Sequence, residues 1–476
     1  MTGSNHSGGR SLRCLITLCL CGAAQADNLA NIYSLSLQND PTIRAAEATF
    51  RAGQEDEKLG RSRLLPRVNA SGAYNYSDSE NRGGPPLFER QGYANNDSTN
   101  KTTSWGVNLN QPLFDMPAWF GFSRGKELTR QTTAQFAADQ QNLIIRVAEA
   151  YFEVLRALDN LNASRANERA NQRQLDQTQQ RFDVGLIAIT DVHESRAAYD
   201  LAVAQRLSDE GNLGVALERL SVLTGQRHDK VWLLKSDYPI VNPDPTNKDE
   251  WVNFALENNF TVKATAYARD AAYQLAREKK YEHAPKLGAQ LGYNESYATN
   301  HQKYLDLPEN GENPVTYPSD VTGPSIALNL NVPLYSGGFI SASRRQAYEQ
   351  YNRAQEVYAG TVRNTVQATR ALHLQTSVDV ATVKARQLAI VSSKSAYEAT
   401  QAGYEVGTRN IVDVLNVQQN LFVALRDYAN ARYNYVLDML KLKNQAGLLS
   451  PDDINNLNQW LEPPAAPTLS ETGLSE

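Results

Sequence analysis

The sequence predicts a mixed α and β membrane protein that crosses its bilayer with strands and carries long helices outside it. Three observations predict this. The stretch RFDVGLIAITDV at 181–192 returns as YEVGTRNIVDVL at 404–415, so the chain carries an internal two-fold repeat. Four short segments alternate apolar and polar residues with period two, the mark of strands with one greasy face. Elsewhere the breaker-free runs are long, yet none holds the roughly 20 continuous apolar residues of a membrane helix, so any crossing falls to the strands.

Composition supports long helices over compact cores. Hydrophobic residues make up only 41% of the chain, while polar amides, Ala and Tyr are frequent. Arg10 and Arg13 precede the apolar run Leu15–Leu20, and Ala24-Gln25-Ala26 is a small-x-small cleavage site, so residues 1–26 read as a secretory signal peptide. Its removal would leave Asp27 first and take away Cys14, Cys19 and Cys21, the only cysteines, leaving no lipid anchor. Loss of the two arginines moves the net charge from −5 to −7, which argues against nucleic acid as a partner.

In order, residues 27 to about 64 read as helical, with Asn39-Asp40-Pro41 as a start signal, a capping side chain followed by Pro in the first turn. Pro66 stops the helix. A strand pair spans about 68–111. Val68, Ala70, Gly72, Tyr74 and Tyr76 share one face of the first strand, and Trp105, Val107 and Leu109 share one face of the second. A polar loop from about Asp78 to Thr103 joins them, and Pro112 closes the pair. From Pro117 to Gln180 apolar residues recur at Leu143, Val147, Tyr151, Val154, Leu158 and Leu161, in steps of four and three that make a helical seam. At about 1.5 Å per residue that helix is on the order of 95 Å long, wider than a globular domain.

Gly185 permits the left-handed backbone of a reversal, placing a hairpin tip near 181–192, and the returning helix ends at Gly225. The order then begins again. Asn258–Ala264 answers Asn39–Ala45, Pro285 answers Pro66, Pro333 answers Pro112, Gly407 answers Gly185 and Gly447 answers Gly225, all at offsets between 219 and 222. The two copies therefore cover 27–225 and 251–447, with a linker at 226–250 and a C-terminal segment at 448–476 whose Pro-rich end reads as disordered. The second strand pair spans about 287–332 and the second tip lies near 404–415. The four prolines mark the helix–strand junctions.

Four strands cannot close a membrane barrel, for which about eight is the known minimum, and open edges are not tolerated in lipid. The barrel must be shared between chains; spacing alone permits dimers, trimers or larger rings. The two tips also differ. Tyr404 stands where the first copy has Phe182, and Arg409 where it has Ile187, so the second tip has gained hydrogen-bonding groups that could reach Asp191.

The chain resembles the TolC family of outer-membrane export channels. The resemblance rests on NDPTIRAAEA at 39–48, LLPRV at 64–68, QRFDVGLIAITDV at 180–192, GYEVGTRNIVDVL at 403–415 and ANARYNYVLDMLKLK at 429–443. It implies a homotrimer whose twelve strands form one transmembrane β-barrel in the bacterial outer membrane, continued by a twelve-helix periplasmic α-barrel. The linker and C-terminal segment would form its equatorial belt. The missing lipid-attachment motif is similar to the unacylated branch. By resemblance, Asp413 contributes to a carboxylate ring at the periplasmic constriction; Asn416, one turn on, stands where well-known members carry a second Asp. Thr190, Asp191, Tyr404 and Arg409 match positions that link the inner hairpin to the outer one and to the neighbouring chain. The tips around Gly185 and Gly407 would dock a periplasmic adaptor, which joins the duct to an inner-membrane pump driven by ATP or by protons.

Catalysis has no candidate site, and the chain does not read as an enzyme. His193, His228, His283, His301 and His373 are scattered without metal-ligand spacing, and no Gly-rich phosphate loop is present, so neither metal nor cofactor is expected. The alternative reading is a secreted helical structural or adhesion protein with a soluble β domain.

Overall fold

The computed structural model describes residues 27–82, 95–304 and 315–464. The expected signal peptide and residues 465–476 of the expected disordered tail lie outside the described residues. The first half runs α1 (Leu29–Asn39), α2 (Pro41–Gly53), α3 (Glu55–Ser62), β1 (Arg67–Arg82), β2 (Asn95–Phe114), α4 (Met116–Asp183) and α5 (Ile189–Thr224). After the short strand β3 (Leu233–Leu234), the second half runs α6 (Lys248–Asn258), α7 (Phe260–Lys280), β4 (Lys286–Tyr304), β5 (Val315–Asn331), α8 (Phe339–Glu405), α9 (Ile411–Gln445), α10 (Pro451–Asn458) and β6 (Leu461–Glu462). Among the described residues no helix is long and apolar enough to cross a membrane.

The single helical segment expected at the start is divided at two points. Asp40 breaks it because its carboxylate accepts the Thr42 and Ile43 amides at 3.2 and 3.4 Å while Pro41 opens α2. Burial pushes the Asp40 carboxyl up, but the Arg146 guanidinium at 2.5 Å and the two amides outweigh it and hold it below the usual carboxylate range. Gln54 makes the second break, and α3 then lies flush on α4. A Cβ at Gly60 would come 2.9 Å from the Phe122 Cα, and one at Gly125 2.4 Å from the Asp56 carbonyl, so glycine at both positions sets the approach.

β1, β2, β4 and β5 form one antiparallel sheet in that order, so the two strand pairs are joined through β2 and β4. The register keeps one apolar face: Ala70 pairs with Val107, Val107 with Tyr293, and Leu291 with Ile326. That face is bare, with Ile326 80% and Leu328 70% exposed. The opposite face carries Asn69, Asn108, Gln290 and Asn329. The polar loop expected from Asp78 to Thr103 is corrected: β1 continues to Arg82 and β2 begins at Asn95. Backbone pairing from Ser77↔Asn100 to Arg82↔Asn95 needs no apolar side chains, so the pattern fades before the ladder does. Pro112 does not end β2 either. The strand passes it through an irregularity and stops at Phe114, and Asp115 then caps α4 by accepting the Ala118 amide at 2.9 Å. Pro66, Pro285 and Pro333 lie between helix and strand as expected. The second copy, expected to begin at 251, begins with α6 at Lys248.

The main core sits midway along the helices. Leu143, Val147, Tyr151 and Leu155 of α4 meet Leu29 and Ile32 of α1, Val436 and Leu440 of α9, and Ile454 of α10, all buried. The Tyr151 hydroxyl donates to the Trp232 carbonyl at 2.7 Å, and the Tyr433 hydroxyl to Asp159 at 2.6 Å, so the buried polar ends are satisfied. Here the short helices also meet end to end. The Asn39 amide donates to the last carbonyl of α5, Thr224, at 2.8 Å, and the Asn259 amide to that of α9, Gln445, at 2.9 Å. Each junction covers carbonyls that a helix end leaves open.

Candidate functional site: the two hairpin tips

The tips lie at the end of α4 and α8 remote from the sheet. With 68 residues, α4 spans on the order of 100 Å. Both turns reverse through a glycine of positive φ, Gly185 at 76° and Gly407 at 81°. Their fastenings differ. In the first, the Leu186 amide donates to the Arg181 carbonyl at 2.9 Å, and Ala188, at the capping position before α5, offers no side-chain cap. In the second, the Thr408 amide and hydroxyl both donate to the Gly403 carbonyl, at 2.8 and 3.0 Å, and Asn410 caps α9 by accepting the Asp413 amide at 2.8 Å. The side chain of Arg409 folds over Gly403, where a Cβ would sit 2.9 Å from its Cγ.

Asp413 lies half-buried in the first turn of α9, where the helix dipole favours a carboxylate, and Asn416 is exposed one turn on. Arg409 reaches Asp413 at 3.8 Å, with 61% of its own side chain exposed. Thr190 is exposed, and its hydroxyl lies 3.4 Å from the half-buried Asp191 carboxylate. The link from the second tip to Asp191 is not made within one chain. Arg409 turns to Asp413, and the hydroxyl of Tyr404, a side chain only 7% exposed, has no hydrogen-bond partner. Tyr404 instead packs with Ile411 and Val414, and the Arg181 guanidinium of the other hairpin lies 5.0 Å from its ring centre.

Arg181, Gly403 and Asn410 are thus site residues that the sequence reading did not single out. Positions 181 and 403 stand opposite each other at the repeat offset of 222, so Arg against Gly was a visible asymmetry. A second omission is larger. The seam of α4 does not stop at Leu161; it continues in the same steps through Ser164, Asn167, Asn171, Gln174 and Thr178, all buried. Asn167 donates to Gln419 of α9 at 3.1 Å, and Ser195 of α5 meets Thr178 at 3.3 Å. Along α4 toward the first tip, side-chain hydrogen bonds replace apolar packing.

A bare apolar sheet face, a helical body on the order of 100 Å long and two hairpin tips at its far end define one segment of a channel that crosses an outer membrane and reaches into the space beneath it. The family described as "Outer membrane efflux protein" matches residues 32–226 and 251–448, and the chain belongs to this family. It is 35% identical over 443 residues to the outer membrane protein TolC of Vibrio cholerae serotype O1, covering 93% of this chain and 96% of that protein. It is 28% identical over 435 residues to the alkaline protease secretion protein AprF of Pseudomonas aeruginosa, covering 90% and 86%. In fold it resembles the CmeC outer membrane channel of Campylobacter jejuni, with a TM-score of 0.71 at 17% identity over 97% of this chain and 98% of that one. The chain is an outer-membrane export duct whose helices stand in the periplasm.

Proposed function

We propose that three copies close one twelve-stranded barrel continued by a twelve-helix tunnel, each chain supplying two copies of a helix–strand pair–hairpin unit at 27–225 and 251–447. One observation carries this reading. β1 and β5 are the outer strands of the four-stranded sheet, 16 and 17 residues long, and neither has a second neighbour among the described residues. Each backbone group left unpaired in hydrocarbon costs several kcal/mol, on the order of 2–7, so a bilayer demands that these edges pair with other chains.

The duct passively conducts drugs or proteins from an inner-membrane pump, reached through a periplasmic adaptor at the tips around Gly185 and Gly407. The pump, ATP-driven or proton-driven, supplies the energy. Asp413 lines the constriction once per chain, and Asn416 leaves the ring with three carboxylates instead of six. Tyr404 and Arg409 latch the inner tip to Thr190 and Asp191 of the outer hairpin of a neighbouring chain; the largely exposed Arg409 side chain supports this. The test is extraction from outer membranes in detergent followed by planar-bilayer recording. A heat-resistant trimer that conducts ions is expected, and a soluble, non-conducting monomer would overturn the reading.

A further inference from the structure

α7 packs between α4 and α8 just below the sheet. One of its faces, carrying Ala268, Ala272 and Leu275, lines a hollow that reaches from Leu128 of α4 to Val357 of α8. In the tunnel proposed above, this hollow lies on the concave side of the helical wall. The opposite face therefore looks outward. It carries Tyr273, Arg277 and Lys280 and, with Arg344, Arg345 and Tyr348 of α8, lines a groove of about 780 Å³.

The groove gathers four cations that form no ion pair among the described residues. None of Arg277, Lys280, Arg344 and Arg345 has a carboxylate within salt-bridge distance among the described residues. Glu278 pairs with Arg63 at 2.8 Å and Glu282 with Lys279 at 2.5 Å, while Glu349, which lines the same groove and accepts the Asn352 amide at 3.1 Å, leaves the groove with a net charge of three positive. Arg277 is held with its guanidinium 4.2 Å from the Phe120 ring centre, and the Lys280 ammonium lies 5.7 Å from that of Tyr281. Both are propped on aromatic faces rather than paired.

Immediately toward the sheet, Leu334 and Tyr335 are bare, at 87 and 86% exposed. They follow Leu330 on the apolar face of β5, so bare apolar surface continues from the sheet down to the start of α8. From Phe339 to Arg344 is about 7.5 Å along the helix. That matches the headgroup layer of one leaflet, roughly 5–8 Å deep. Apolar side chains followed by cations at headgroup depth are the layering of a membrane interface.

We propose that this outer groove between α7 and α8 binds the phosphate of an anionic phospholipid in the periplasm-facing leaflet, fixing the height of the duct in its membrane. The inference rests on the reading that the apolar sheet face meets lipid. Each cation near an anionic leaflet is worth about a fivefold gain in binding constant. The test compares the purified trimer with a Lys280→Gln, Arg344→Gln, Arg345→Gln variant, reading bound lipid by native mass spectrometry after exchange into micelles with phosphatidylglycerol or phosphatidylcholine. The wild type should prefer phosphatidylglycerol at least tenfold, the variant less than twofold, with conductance unchanged in both. A conducting wild-type trimer without the preference overturns the lipid site while leaving the channel reading intact; failure to insert or conduct would count against that reading instead. Displacement of the lipid by an equal concentration of inorganic phosphate would make the ligand free phosphate and overturn the proposal as well.

Discussion

The latch makes the sharpest prediction, because the two residues that carry it have opposite environments. The Tyr404 hydroxyl is buried without a partner, whereas Arg409 is largely exposed and holds Asp413 at only 3.8 Å. If the hydroxyl is truly orphaned, Tyr404→Phe removes a buried unsatisfied group and stabilises the protein by about 1–3 kcal/mol. If Asp191 of a neighbouring chain accepts it, the same change removes a charge-assisted hydrogen bond worth about 1.5–3 kcal/mol. Arg409→Ser removes an exposed pair worth about 0.2–1 kcal/mol. Together the double variant loses about 2–4 kcal/mol per chain. In a trimer that opens as a unit, that is on the order of 6–12 kcal/mol, enough to shift a closed tip toward open states. Single-channel recording in planar bilayers should then show closed-state conductance raised several-fold in the double variant. Unchanged conductance, together with a raised melting temperature for Tyr404→Phe alone, would refute the latch.

Three further outcomes follow. Asn416→Asp, which restores a second carboxylate one turn from Asp413, should lower the concentration of multivalent cation that blocks the current; no shift would mean that position 416 does not line the constriction. Gly447→Ala and Gly185→Ala both force a residue with a Cβ to positive φ, about 1–2 kcal/mol each, but only at Gly447 would that Cβ strike backbone, 2.4 Å from the Asn258 carbonyl carbon. The trimer melting temperature should fall clearly further for Gly447→Ala, and equal losses would show that the helix junction yields. Burial, reinforced by the facing Asp438 against a hydrogen bond from Gln375, pushes the Asp379 carboxyl up to about 6. A carboxyl raised in the fold has its stability in full below its ordinary value near 4 and loses it as pH rises through about 6. Asp379→Asn should therefore raise the melting temperature more at pH 8 than at pH 5, and a pH-independent difference would contradict this.

The fold was legible where one side-chain period ran long enough to be unambiguous. The heptad steps from Leu143 to Leu161 and the alternation from Val68 to Tyr76 each name an element and its buried or bare face. The repeat offset made the reading firmer, because Gly185 and Gly407 turn out to share the same left-handed backbone. What escaped was set by backbone and polar chemistry. The strand ends at Ser77–Arg82 and Asn95–Asn100 carry no hydrophobic pattern, since ladder bonds alone extend them. The break at Gln54 follows Gly53, where a Cβ would come 2.4 Å from the Thr132 Oγ1 of α4, so it answers to how α2 and α3 lie along α4. At the tips, the glycines and the chemistry gained at Tyr404 and Arg409 were visible, but the contact between Arg181 and Tyr404 joins two hairpins more than 200 residues apart, which no local pattern reports.

The buried seam of α4 suggests why the tips, and not the middle, are where such a duct can move. Above Leu161 the seam is Leu, Val, Tyr and Phe at close to zero exposure, and separating it would return that area to water at about 25 cal/mol per Å². Below Ser164 the same stripe is Asn, Gln and Thr. A hydrogen bond there contributes only about 0.5–1.5 kcal/mol net, because water replaces the lost partner when the helices part. Such a seam also keeps its register: Asn167 can meet Gln419 only at the right height, while an apolar stripe tolerates sliding. The helical register that continues without interruption from Leu143 to Thr178 therefore joins a part built to stay closed to a part that can open at modest cost. If the hairpins open, the change of chemistry between Leu161 and Ser164 predicts that they bend about one turn on the tip side of the apolar core.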